Sequence, residues 1–117
     1  GAYLGVHEGP IGISSRYTMP LEIGNVISNE PGYYKTGEYG IRIENLITVV
    51  PSAEFDGYLE FETITLAPID RGLIRKSMLT EAERAWIDAY HRRVWKEIGP
   101  LVKGKVKDWL KDATEEL

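Results

Sequence analysis

The sequence has no cysteine. That excludes a disulfide framework and a cysteine-ligated zinc site, and it suits a reducing compartment. Histidine is scarce too, so His7 and His91 are the only imidazoles available as nitrogen ligands. Positive charge is in deficit: a net charge of −4 and a pI near 5.2 argue against a nucleic-acid binder, which carries a basic patch. No apolar run approaches the ~18 residues of a membrane span, and the amino terminus lacks the basic-then-apolar order of a signal peptide. The expectation is a soluble, cytoplasmic chain with neither a nucleic-acid nor a membrane partner. An initial methionine is missing as well. The chain opens at Gly1 and runs at once into the strand-like AYLGV, as the interior of a longer protein would.

What is present suits one domain. A chain of 117 residues with 43% hydrophobic and 27% charged residues can bury a core, though not the area of a large enzyme domain. Gly1, Gly5, Gly9, Pro10 and Gly12 break residues 1 to 17 into a short strand followed by loop, with His7 where the strand gives way. A histidine at such an edge reads as a structural or exposed group, or as a catalytic group on a loop held by a scaffold. Residues 18 to 25 read as a turn.

The stretch Val26 to Val50 carries the most specific pattern. Two strands are expected, Val26 to Glu30 and Gly40 to about Val50, separated by a hairpin-like excursion containing Tyr33, Tyr34, Gly37 and Tyr39. Residues two apart on a strand share a face, so Arg42 and Glu44 project together while Ile41, Ile43, Ile47 and Val49 form the apolar face. Glu30 precedes Pro31 and is held extended. Pro31 and Gly32 fit a type II turn with positive φ at the glycine. Two carboxylates and an arginine placed this way read either as a solvated salt bridge or as a metal or acid/base site.

After the turn signal Asp56-Gly57, residues 58 to 69 alternate as a third strand, with Glu60 and Glu62 as a solvent face. The last third is helical. Thr80 and Glu83 form a capping box ahead of Ala82, Trp86, Ala89, Tyr90, Val94 and Ile98 at helical spacing. Gly99 and Pro100 divide this helix from a second one, striped by Val102, Val106, Trp109, Leu110, Ala113 and Leu117. His91 lies one turn from Ile87 and Trp95 and reads as a structural histidine. The expected fold class is α+β, an antiparallel sheet followed by two helices.

Three motifs carry a resemblance: VHEGP at residues 6 to 10, ISNEPGYY at 27 to 34 and GIRIENLITVV at 40 to 50. Together with FETITLAPIDRGLI and LTEAERAWIDAYH, they make the chain similar to the carboxyl-terminal part of the cytosolic Xaa-Pro aminopeptidases (aminopeptidase P), among the pita-bread metallopeptidases. The resemblance implies a curved antiparallel pita-bread sheet, its second half at residues 1–70, with residues 71–117 a helical extension of the same domain. It implies two divalent ions, commonly manganese, held by two aspartates, one histidine and two glutamates, with a water between them that attacks the scissile carbonyl.

By motif, Glu30 resembles the terminal glutamate ligand and Glu44 the glutamate bridging both ions. His7 matches the histidine that hydrogen-bonds the substrate, and Arg42 the arginine beside the bridging glutamate. The remaining ligands belong upstream of Gly1, so the chain supplies two of five. It is expected to be a piece of a longer enzyme, inactive alone, holding metal weakly or not at all. The implied partners are a peptide with proline second, the missing amino-terminal half of the catalytic domain and, through exposed sheet, a second copy. Rival readings are a non-catalytic pita-bread module that binds peptides or proteins, and a fragment of a prolidase-type dipeptidase.

Overall fold

The computed structural model describes residues 9–117. The strand expected at residues 2 to 6, and His7, lie outside the described residues. The chain divides between Thr65 and Leu66 into two compact units.

Among the described residues the first unit holds five short strands: β1 (Val26–Asn29), β2 (Gly32–Lys35), β3 (Tyr39–Arg42), β4 (Asn45–Pro51) and β5 (Leu59–Thr63). An antiparallel sheet has the order β1-β4-β5, and β2 and β3 form a separate hairpin. Ile47 and Val49, two apart on the central strand β4, are buried. The single strand expected from Gly40 to Val50 is therefore two strands in two sheets, and Ile41 and Ile43 are about half exposed rather than part of a continuous apolar face.

The cause of the break is what stands opposite it. Asn29 pairs with Asn45 on one side of it and Gly32 with Arg42 on the other. Counting inward from either end puts Pro31 opposite Ile43 and Glu30 opposite Glu44. Pro31 has no N–H to give to the ladder, and two like charges face each other across it. One bond spans the gap, from the Ile43 N–H to the Pro31 carbonyl at 3.2 Å.

Gly32 is not in the left-handed region, so the expected type II turn is absent. Its small size is needed for another reason. A Cβ there would come within 2.7–2.9 Å of the Tyr34 ring and hydroxyl, and one on Gly40 within 2.6 Å of the same ring. Tyr34 lies flat across both glycines, on the face that also carries Arg42. The turn at Asp56-Gly57 forms as expected, with Gly57 at φ +78° and the Tyr58 N–H bonded to the Phe55 carbonyl.

The second unit consists of α1 (Glu81–Ile98), a short 3-10 turn at Gly99–Leu101, and α2 (Gly104–Ala113), preceded by two further 3-10 turns. The capping box starts α1 as expected: the Thr80 hydroxyl accepts from the Glu83 N–H and the Glu83 carboxylate accepts from the Thr80 N–H. That N–H and the Thr80 hydroxyl hold Glu83 below its usual carboxylate range. Tyr90, Val94 and Leu110 form the buried cluster, packed around by Leu66, Ile69, Trp95, Ile98 and Val102. Of the apolar stripe expected on α2, only Leu110 is buried within the helix. Val106 and Trp109 stay more than half exposed, because α2 meets the cluster through one edge of its stripe. Arg71 closes the far end of α2, donating to the backbone carbonyls of Asp112 and Glu116, where a cation complements the helix dipole. No helix among the described residues is long and apolar enough to cross a membrane.

The third strand is shorter than the expected 58 to 69, ending at Thr63. Just beyond it the Ile64 N–H still donates to the Leu46 carbonyl at 2.9 Å, and at Ala67 and Ile69 side chains of α1 satisfy the backbone. The Tyr90 hydroxyl donates to the Ala67 carbonyl at 2.8 Å, and the Ile69 N–H donates to His91 Nε2 at 3.1 Å. His91 is fully buried, as a structural histidine would be. With Nε2 accepting, the neutral ring carries its proton on Nδ1, which faces the Glu115 backbone but finds no hydrogen-bond partner among the described residues.

Burial is the main reason that the His91 pKa lies below the ordinary 6.5, and the nearby Arg71 acts in the same direction while Asp88 opposes it. A lowered pKa means that the unfolded chain takes up the proton first as pH falls. The stability contributed by neutral His91 is therefore complete above about pH 6.5 and is lost as pH drops from there toward the folded-state value. Urea unfolding between pH 7.5 and 5.5 should show stability falling, no more steeply than ~1.4 kcal/mol per pH unit from this one proton. In His91→Phe that component should vanish, and an unchanged slope in the variant would refute the assignment.

Candidate metal centre

The polar face of the interrupted ladder brings together Ser28, Glu30, Arg42 and Glu44. Arg42 and Glu44 are two apart on one chain segment, Ser28 and Glu30 on the other, and each pair shares a face by the alternation of extended backbone. Arg42 Nη1 lies 3.4 Å from Glu30 Oε2, and Arg42 Nε lies 3.5 Å from Glu44 Oε2. One guanidinium thus sits between two carboxylates drawn from the two sides of the gap. Ser28 Oγ donates to the other Glu30 oxygen at 2.9 Å. The Glu30 side chain is 24% exposed and that of Glu44 44%.

These values favour neither a buried ion pair nor a solvated one. At separations near 3.5 Å and this exposure, each Arg42 contact contributes at most about 1 kcal/mol. The arrangement is better described by what it leaves over. One cation between two anions leaves one negative charge uncompensated, at a position where neighbouring strands normally avoid like charges. Glu30 also lines a cleft of about 460 Å³ between the loop of residues 11 to 17 and β1, within the size range of small-ligand sites.

Of the residues singled out in the sequence, the structure brings Glu30, Arg42 and Glu44 together, while His7 lies outside the described residues. Glu60 and Glu62 stay exposed on β5. Ser28 was missed, although its signal was legible: a hydroxyl two residues before a glutamate on an extended segment falls on the same face. Donor chemistry fits a hard or borderline cation, because both carboxylates offer oxygen and no thiolate is present. The fit is to part of a shell, since no group of three or more carboxylate, imidazole or thiolate side chains converges among the described residues.

Comparison with known proteins adds an independent line. Residues 57–117 match the family model described as the C-terminal region of peptidase M24, and residues 1–51 match that of metallopeptidase family M24. A probable Xaa-Pro aminopeptidase P from Coprinopsis cinerea is 45% identical over 124 residues, covering 97% of this chain and 20% of the relative. The protein of the same name from Paracoccidioides brasiliensis is 46% identical over 125 residues, with 98% and 20% covered. Among solved structures, the X-prolyl aminopeptidase from Caenorhabditis elegans, described as a cytosolic enzyme with a di-nuclear active site, superposes with a TM-score of 0.81. It is 40% identical, and the match covers 98% of this chain and 20% of that one. The chain spans about a fifth of the length of these relatives. Its antiparallel sheets followed by two helices are the carboxyl-terminal part of a pita-bread fold. The chain belongs to metallopeptidase family M24.

Proposed function

We propose that this chain is the carboxyl-terminal part of the catalytic domain of a dinuclear metallo-exopeptidase that removes the amino-terminal residue from peptides with proline second. The observation that carries the reading is the pairing of Glu30 and Glu44 across the gap in the ladder, with Arg42 between them. A ladder interrupted to oppose two carboxylates weakens the sheet locally, and such frustration is expected where side chains serve a ligand. The names of the relatives support the substrate class.

In this reading Glu30 is a terminal ligand of one divalent cation and Glu44 bridges two, with manganese the proposed ion. When bound, such a pair supplies Lewis acidity and a water of lowered pKa for attack on the scissile carbonyl. Arg42 fixes the directions of both carboxylates and offsets part of their charge. His7 donates a hydrogen bond to the substrate near the scissile bond. The remaining ligands come from sequence outside this chain, so the isolated chain neither holds two ions tightly nor turns over substrate. The cytosol is the proposed compartment. The exposed sheet residues Leu46, Leu59 and Phe61 offer apolar surface for self-association.

The test is an assay of the full-length protein, stripped of metal and reloaded with Mn2+, on an Xaa-Pro-Xaa tripeptide, the matching Xaa-Pro dipeptide and an Xaa-Ala control. Cleavage of the tripeptide after its first residue, abolished by chelation, is expected. No cleavage of any proline peptide with any divalent ion refutes the activity. Preference for the dipeptide points to a prolidase-type enzyme instead, and turnover by the isolated chain refutes the shared-ligand reading.

A further inference from the structure

We propose that Ser28 is a positioning residue for the Glu30 carboxylate, fixing one oxygen so that the remaining lone pairs are presented to a divalent cation. The proposal rests on the reading of Glu30 as a ligand given above. Ser28 Oγ donates to Glu30 Oε1 at 2.9 Å, while Arg42 Nη1 approaches Oε2 at 3.4 Å. The two donors come from different strands and take different oxygens. An ionised carboxylate accepts at about four sites, two on each oxygen, so one donor on each leaves roughly half the acceptor capacity open.

What the pair of donors removes is freedom. A glutamate side chain loses several rotatable bonds' worth of entropy when it is immobilised by a cation. If the folded chain has already fixed it, that loss is not charged against binding, and the carboxylate is presented in one direction. Ser28 reaches Glu30 because it lies two residues before it in β1, on the same face, with a side chain short enough to place its hydroxyl beside the carboxylate. Threonine keeps the hydroxyl in the same place and is favoured in strands, whereas alanine removes it.

The effect on the carboxylate is separable from any effect on folding. Ser28 is exposed and Glu30 is in contact with solvent, so both groups can exchange their mutual bond for one to water with little change in stability. A purely structural serine would show the reverse: a loss of stability with no change in cation affinity.

The experiment compares wild type, Ser28→Ala and Ser28→Thr in the full-length protein. After chelation, each is titrated calorimetrically with Mn2+ alone, and the thermal unfolding of each metal-free protein is measured. Loss of an outer-shell partner typically weakens metal binding 10- to 100-fold, so Ser28→Ala should raise the apparent Kd about ten-fold or more. Ser28→Thr should restore wild-type affinity, and all three metal-free proteins should unfold at the same temperature. Wild-type affinity in Ser28→Ala overturns the proposal. So does a Ser28→Thr protein as weak as Ser28→Ala, because the hydroxyl is then not the agent. A wild-type protein that takes up no Mn2+ instead overturns the ligand role of Glu30 itself, and this proposal with it.

Discussion

On the proposed function, replacing Glu44 by alanine in the full-length protein should lower both Mn2+ affinity and kcat/KM for an Xaa-Pro tripeptide by more than ~100-fold, since loss of an outer-shell partner alone reaches that range. Glu30→Ala should do the same. The physical reason is that each carboxylate supplies charge and a fixed oxygen that water replaces poorly. Folding should respond in the other direction or not at all. By register Glu30 and Glu44 stand opposite each other in the gap between the two ladders, a like-charge placement that costs roughly 0.2–1 kcal/mol. Arg42 keeps one partner when either glutamate is removed. Urea unfolding of either variant should thus stay within about 0.5 kcal/mol of wild type, the range for surface substitutions away from a core. Collapse of metal affinity at unchanged stability would identify ligands. Both variants retaining full metal content and activity would remove Glu30 and Glu44 from the site.

The largest effect on stability is expected at Leu110. It is 4% exposed and packs with Tyr90 and Val94 in the buried cluster of the second unit. Leu110→Ala deletes most of that side chain and leaves a cavity that the surrounding helix and turn only partly fill, a loss of about 2–5 kcal/mol. Alanine is the better helix former, so the intrinsic preference of α2 works against this loss and the deficit is tertiary in origin. Against a total stability of about 5–15 kcal/mol for a small domain, the change should be large. All three tryptophans, Trp86, Trp95 and Trp109, lie in the second unit, so their fluorescence reports on it directly during urea unfolding of this chain. Leu101→Ala is the control, because Leu101 is 75% exposed and its removal should change stability by less than about 0.5 kcal/mol. Equal losses in the two variants would show that the cluster does not hold the unit together.

The sequence by itself determined the features that depend on a residue and its near neighbours along the chain. The capping box at Thr80 and Glu83 was legible because its hydrogen bonds close within one turn of helix. The common face of Arg42 and Glu44 was legible because extended backbone alternates whatever lies beside it. His91 was legible as structural from the apolar residues one turn away on α1. The motifs of residues 6 to 50 pointed to the family that the model matches then identified.

What only the tertiary structure decided are the relations across strands and between segments. The break between Arg42 and Asn45 depends on which residues of the partner strand face it, and local propensity reads Gly40 to Val50 as one unbroken run. Gly32 was assigned to a turn from Pro31 beside it, yet the need for glycine comes from the Tyr34 ring folded back over it. Beyond the end of the third strand, the backbone of Ala67 and Ile69 is bonded by side chains of α1, more than twenty residues further on, which no local pattern shows. The meeting of Glu30 and Glu44 at one guanidinium, with Ser28 behind the first, belongs to the same class. Spacing along a chain fixes the face on which a side chain stands, while pairing between chain segments fixes what stands opposite it.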